Sequence, residues 1–165
     1  MDGLISFTIV LKPRGQSRHR HRQVTTKDGR TFSQAYKTKD QVRDEKNLAY
    51  LMLEHRPPQP LHGGIALSIR AYMPMPQSKP KKWVEKALSG EITPETKPDA
   101  SNILKHFEDV GRGIFYHDDK QIHDVRLVKL YGDPPRYEVE IRFDSARQNG
   151  AAVEPRTQPA KRFIY

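Results

Sequence analysis

Residues 97–126 read KPDASNILKHFEDVGRGIFYHDDKQIHDVR. Ile103, Phe107 and Val110 recur at helical spacing with Leu104 beside them, which predicts a helix over residues 99–110. Asp99 or Ser101 is placed to cap its start, and Gly111 and Gly113 offer its exit. Asp99, Glu108, Asp109, Asp118, Asp119 and Asp124 crowd into this one stretch.

The flanking segments alternate instead. Tyr137, Val139, Ile141 and Phe143 alternate with Glu138, Glu140 and Arg142, which predicts a strand over residues 137–143. A second strand is expected over 125–131, joined to it by a turn at Gly132-Asp133-Pro134-Pro135. Upstream, Ile65, Leu67, Ile69 and Ala71 mark a strand over 64–72, and Ile5, Phe7, Ile9 and Leu11 mark one over 4–11. Residues 36–55 read as a helix whose apolar stripe is Val42, Ala49 and Met52 or Leu53, stopped by Pro57, Pro58 and Pro60. A short basic helix is expected over 79–88, with Trp83, Val84, Ala87 and Leu88 facing inward. This order specifies an α/β chain: a small single domain, residues 1–165, with a mixed β-sheet packed with helices. Its core runs over about 4–143, with a basic arm at 12–30 and a polar C-terminal tail at 144–165.

The chain carries a formal charge of +9. That balance draws it toward polyanions, nucleic acid first and an acidic membrane surface second. Seven of the basic residues fall in the arm, among them Lys12, Arg14, Arg18, Arg20 and Arg22, against one acidic residue. The arm is expected to be a basic hairpin turning at Asp28-Gly29, or a mobile segment, that contacts phosphates. There is no cysteine, so disulfides and thiolate metal sites are excluded. The apolar stretch from Leu4 to Leu11 is short and follows Asp2, unlike a secretory signal, and no run is long enough to span a membrane. A cytoplasmic protein is expected.

An acidic cluster in a basic, polyanion-seeking chain repels its own partner unless cations bridge the two. Grouped carboxylates suit Mg²⁺, a hard ion that takes oxygen ligands, and Mn²⁺ is the alternative. Such an ion activates water and offsets charge on a phosphate. Lys105 lies almost two turns beyond Asp99, so both are expected to border one pocket, with Lys105 stabilising charge on the reacting phosphate. Asp118 and Asp119 are expected to swing back over the helix start. The residues alone also admit a blander reading: adjacent aspartates as a turn, Asp99 as a helix cap, Lys105 as a solvated side chain. No histidine pair has zinc spacing, and neither a phosphate-binding glycine loop nor a nucleophile elbow is present.

The same stretch resembles the RusA-type Holliday junction resolvases of bacteria and their phages or prophages. Their pattern runs Asp-x-Asp-Asn, a lysine three residues on, a helix ending in Asp and Gly, and a later Asp-Asp-x-Gln-Val/Ile. Asp99, Asn102, Lys105 and Asp109 match its first part, and Asp118, Asp119, Gln121 and Ile122 its close. The likeness extends more loosely from the strand near residue 5 to the one near 143. It implies a homodimer that binds four-way junctions or other branched DNA and makes paired nicks with Mg²⁺, in recombination and repair. It implies metal-ligating catalytic carboxylates at Asp99 and Asp119, with Asp118 beside them, and a catalytic lysine at Lys105. Asn102, Lys79, Lys81 and Lys82 join the arm as expected DNA contacts. The chain departs from the pattern at Ser101, where the second aspartate of Asp-x-Asp-Asn is replaced. A hydroxyl is a weaker, neutral ligand, though it can hold a metal-bound water within the catalytic set.

Three functions therefore compete: a Mg²⁺-dependent endonuclease, a non-catalytic branched-DNA binder that lost turnover at Ser101, and a general nucleic-acid-binding module. Convergence of Asp99, Asp118 and Asp119 in space separates the first from the others.

Overall fold

The computed structural model describes residues 1–16 and 20–148. Four strands form the main sheet: β1 (Gly3–Ile9), β4 (Ile65–Met73), β5 (Ile122–Tyr131) and β6 (Arg136–Phe143). Their order is β1-β6-β4-β5, with β4–β5 parallel and the other pairs antiparallel. Two further strands, β2 (Arg20–Thr25) and β3 (Thr31–Tyr36), pair only with each other. Three helices complete the chain: α1 (Lys39–Leu53), α2 (Lys81–Leu88) and α3 (Ala100–Gly111). This is the expected α/β domain with a mixed sheet.

The two-residue period of the strands puts Phe7 and Ile9, the series Ile65 to Met73, and Tyr137, Val139 and Ile141 on one face. That face is covered by helical residues: Leu48 and Met52 of α1, Ile103 and Phe107 of α3, and Phe115 and Tyr116 just beyond it, all buried. The opposite face carries rows such as Ser6, Glu140, Ser68 and Arg126, and is polar.

Three expectations are corrected. Residues 31–36 form β3, the second strand of the hairpin expected to turn at Asp28-Gly29, so the helix expected from residue 36 starts later. All six side chains are exposed, so no core face marks them in the sequence; the helix begins only at the Thr38 cap, whose hydroxyl accepts from Gln41 N. Helix α1 buries Leu48 and Met52, whereas Val42 and Leu53 stay 36% and 43% exposed. Finally, β5 and β6 are not neighbours, because β4 lies between them. The link at 132–135 steps across the end of β4, where Gly132 N donates to Met73 O at 3.0 Å. A Cβ on Gly132 would stand 2.8 Å from the Tyr72 Cβ, so the crossing needs glycine.

The central position of β4 fixes the site. The chain leaves β4 at Met73 and returns beside it as β5 only after α2 and α3, so both halves of the 97–126 motif hang between two adjacent parallel strands. Of the basic arm, Arg18 lies outside the described residues, as does the tail from 149 onward.

Candidate active site

Asp99 occupies the cap position of α3 in extended backbone, yet its carboxylate accepts no backbone N–H there. An aspartate in that position ordinarily satisfies a free amide of the first turn. Instead Asn102 Nδ2 donates to Asp99 Oδ2 at 3.5 Å, and most of the carboxylate's lone pairs stay open to a ligand. Asp99 and Asn102 line a groove of ≈ 1060 Å³ with Lys12, Arg14, Gln16 and Met75. The root of the basic arm runs along α3. Gln16 N donates to Asn102 O at 2.9 Å, and the Gln16 amide bonds the Asp109 carboxylate. Gly15 comes so near that a Cβ there would meet Pro98 Cβ at 2.7 Å. Arg14 N donates to Tyr137 Oη at 3.0 Å, and burial pushes that phenol up to about 12, which keeps it a neutral acceptor. The Arg14 guanidinium rests 3.7 Å from Asp44.

The other end of α3 is tied more densely. The helix ends at Gly111, where a Cβ would stand 2.8 Å from Tyr116 Oη; that hydroxyl donates to Glu108 O at 2.9 Å. Gly113, at φ 79°, turns the chain back. Asp118 then caps the short 3₁₀ turn Asp119–Gln121, accepting from Lys120 N at 3.0 Å. That N–H, and then a hydrogen bond with Asp119, hold the Asp118 carboxyl below its ordinary range. Gln121 holds the turn to the rest of the fold. Its Oε1 accepts from His117 N and Asp118 N at 2.8 and 3.0 Å, and its Nε2 donates to Leu61 O and Gly63 O at 2.8 and 2.9 Å. Asp119 Oδ2 faces Arg112 at 3.0 Å. Nearby, burial and then the Asp119 charge push the Glu108 carboxyl up, while Lys105 pulls it down.

The structure thus brings Asp118 and Asp119 together and sets Lys105 in the field of Glu108. It does not bring Asp99 to them. The expected swing of Asp118 and Asp119 back over the helix start is corrected: Gln121 and Arg112 keep the pair at the far end, and nine residues of helix from Asp99 to Glu108 rise about 13 Å. Lys105 is exposed and does not line the groove beside Asp99; six residues of helix turn about 240° beyond a full circle. Ser101 is exposed at the Asp99 end. Among the described residues, no three His, Cys, Asp or Glu side chains are placed to hold a metal ion. The donor chemistry, hard carboxylate oxygen, fits a divalent cation, and the adjacent Asp118 and Asp119 supply two such carboxylates.

Lys79, Lys81, Lys82 and Arg22 are exposed. Lys81 and Lys82 open α2, and Lys79 just before it lies over the Trp83 ring at 5.0 Å. Arg20 and Arg22 lie in β2. Sequence reasoning missed Glu108 and Arg112 as neighbours of Asp119, and gave Gln121 no role. The available signal was the i, i+4 spacing of Glu108 and Arg112, which stacks them on the last turns of α3.

A family model described as endodeoxyribonuclease RusA matches residues 11–142, from the arm root through β6. The chain is also 33% identical over 147 residues to the uncharacterized protein YqaN of Bacillus subtilis (strain 168), covering 86% of this chain and 98% of the relative. The matched region holds the open Asp99 carboxylate with the groove beside it and the Asp118-Asp119 turn, so fold, motif and match coincide: the chain belongs to the RusA family of endodeoxyribonucleases, the Holliday junction resolvases.

Proposed function

We propose that this chain resolves Holliday junctions by paired nicks, in recombination and repair, as a homodimer that uses Mg²⁺ or Mn²⁺. Members of its family are divalent-metal-dependent nucleases that act on branched DNA. The observation that carries the finer reading is the Asp99 carboxylate: it sits at a helix cap without capping, opens onto a groove crossed by Lys12 and Arg14 of the arm root, and is separated by most of α3 from Asp119. Carboxylates held apart in one chain acquire a common ligand when a second copy, a phosphate oxygen and water complete the set. A two-fold substrate with two scissile strands calls for a two-fold protein in any case.

In this reading Asp99 and Asp119 are ligands and Asp118 fixes the backbone of the turn that presents Asp119. When bound, the ion supplies a more acidic water and offsets charge on the phosphate. Lys105 faces the phosphate and acts most strongly where its charge is greatest. Ser101 holds water at the groove end of α3. Lys12, Arg14, Arg18, Arg20 and Arg22, with Asn102, Lys79, Lys81 and Lys82, neutralise the DNA backbone. Helix α1 leaves Val42, Tyr50 and Leu53 uncovered on one side, an apolar strip suited to the contact between copies.

Mixed dimers test this directly. Asp99→Asn and Asp119→Asn should each abolish nicking of a synthetic four-way junction while junction binding persists. Co-expressed in one dimer, the two variants leave one intact pair, Asp99 of the Asp119→Asn chain with Asp119 of the Asp99→Asn chain, if carboxylates are shared between copies. Nicking of a single strand should then return, at up to about half the native rate. Mixed dimers that stay inactive would confine each site to one chain, and native activity in a chelator would remove the metal.

A further inference from the structure

The hairpin β2–β3 stands apart from the core. Its strands pair with each other and with no strand of the main sheet. A two-stranded ribbon alone is marginal in water, and this one spends its side chains unusually. On one face the ladder sets Arg20 opposite Tyr36, Arg22 opposite Gln34, and Val24 opposite Phe32. On the other stand His21 and Ala35, Gln23 and Ser33, Thr25 and Thr31, all small or polar. The first face exposes two rings, Phe32 at 49% and Tyr36 at 39%. Arg22 lies beside the second ring: its guanidinium donates twice to Gln34 Oε1, at 3.0 and 2.8 Å, and lies 5.8 Å from the Tyr36 centroid.

Charge says what covers this face. Residues 20–37 contain Arg20, Arg22, Lys27, Arg30 and Lys37 against the single Asp28. A second copy of the same hairpin is repelled, whereas a polyanion is attracted. Exposed rings beside a flat guanidinium suit the faces of nucleobases. A continuous duplex hides those faces and offers only base edges in its grooves. The branch point of a junction interrupts the stack and presents them. Six residues per strand give a ribbon about 20 Å long, which reaches well past the ~8.5 Å depth of a major groove.

We propose that Phe32 and Tyr36 form a base-stacking wedge that engages the branch point of the junction, with Arg22 beside Tyr36 and Lys27 and Arg30 at the tip on the phosphates. This rests on the junction-resolving reading and adds a site to it: the acidic residues cut, and the hairpin's aromatic face selects the branched structure.

The test uses four-way junctions carrying 2-aminopurine at the branch point, with linear duplex of matching length as the control. Native protein should raise the emission on binding the junction and prefer it to duplex. The double variant Phe32→Ala/Tyr36→Ala should lose the emission change and weaken junction binding about 10-fold or more, with duplex binding and its salt slope unchanged because no charge is removed. A second variant, Phe32→Leu/Tyr36→Leu, keeps apolar bulk without rings and should fail in the same way. The wedge is overturned by an emission change that survives in either variant, by native protein that leaves the emission unchanged, or by variants that sediment as monomers, which would make the face an interface between copies. Native protein with no preference for junction over duplex would instead bring down the junction-resolving reading itself, before the hairpin is touched.

Discussion

The two ends of α3 present their carboxylates in opposite ways. At the start, Asp99 declines the cap that its position offers, and the groove beside it is wide. At the finish, Asp118 is bound into a capped turn, Gln121 makes four hydrogen bonds to it and to the entrance of β4, and Asp119 meets Arg112. One end is open to a ligand, while the other is held rigid before any ligand arrives. A site assembled from one loose and one fixed part tolerates substitution unequally, and the difference can be measured.

The largest effect should come from the fixed end. Gln121→Leu leaves Leu61 O, Gly63 O, His117 N and Asp118 N without the partner they have now. Half-buried polar groups stranded in this way should cost about 2–4 kcal/mol together, read as a lower denaturant midpoint, and nicking should fall further than stability alone accounts for. Gln121→Glu keeps both acceptor bonds, loses both donors, and should lie between. If Gln121→Leu melts and nicks like the native chain, the turn is not held through this side chain.

A middling effect is expected at the open end. Ser101→Asp restores the family pattern beside Asp99. It adds a negative charge in the first turn of α3, which the helix dipole favours by about 0.3–1 kcal/mol, so stability should hold or rise slightly. The Mg²⁺ concentration for half-maximal nicking should fall severalfold. A native chain that binds junctions without cutting them in Mg²⁺ or Mn²⁺, and cuts once Ser101 is changed, would make the present sequence a binder that has lost turnover.

The smallest effect belongs to Arg112→Ala. Arg112 and Asp119 are both largely exposed, and such pairs contribute little to stability. Freed of its guanidinium, Asp119 should accept a divalent ion more readily, and the Mg²⁺ midpoint should drop about twofold. A rise in that midpoint would show that Arg112 orients Asp119 rather than competing for it.

Legibility in the sequence followed burial. Strands β4 and β6 and helix α3 each show a clean apolar period because one face of each meets the core, and all three lie within a residue or two of where the period places them. The hairpin was legible in its Asp28-Gly29 turn, but β3 has no buried face, so nothing in TFSQAY marks where strand gives way to helix. The stripe on α1 misled because Val42 and Leu53 share the period of a core face while remaining outside it. The chemical residues of the motif were legible as types, yet their arrangement was not. Where Asp119 sits depends on Gln121 reaching Leu61 and Gly63, some sixty residues earlier in the chain, and local spacing carries no such information.

Strand order has a consequence for the timing of synthesis. Within the main sheet β1, the first strand made, pairs with β6 alone, and β6 is the last strand among the described residues. β6 also occupies the interior of the sheet, between β1 and β4. A nascent chain released only as far as α3 therefore holds every candidate carboxylate of its helix but has no place to dock its first strand, and contacts this distant in sequence form slowly. The cutting machinery can take shape only after the ribosome has passed residue 143, so a broken or stalled product carries the acidic motif without the framework that would make it a nuclease.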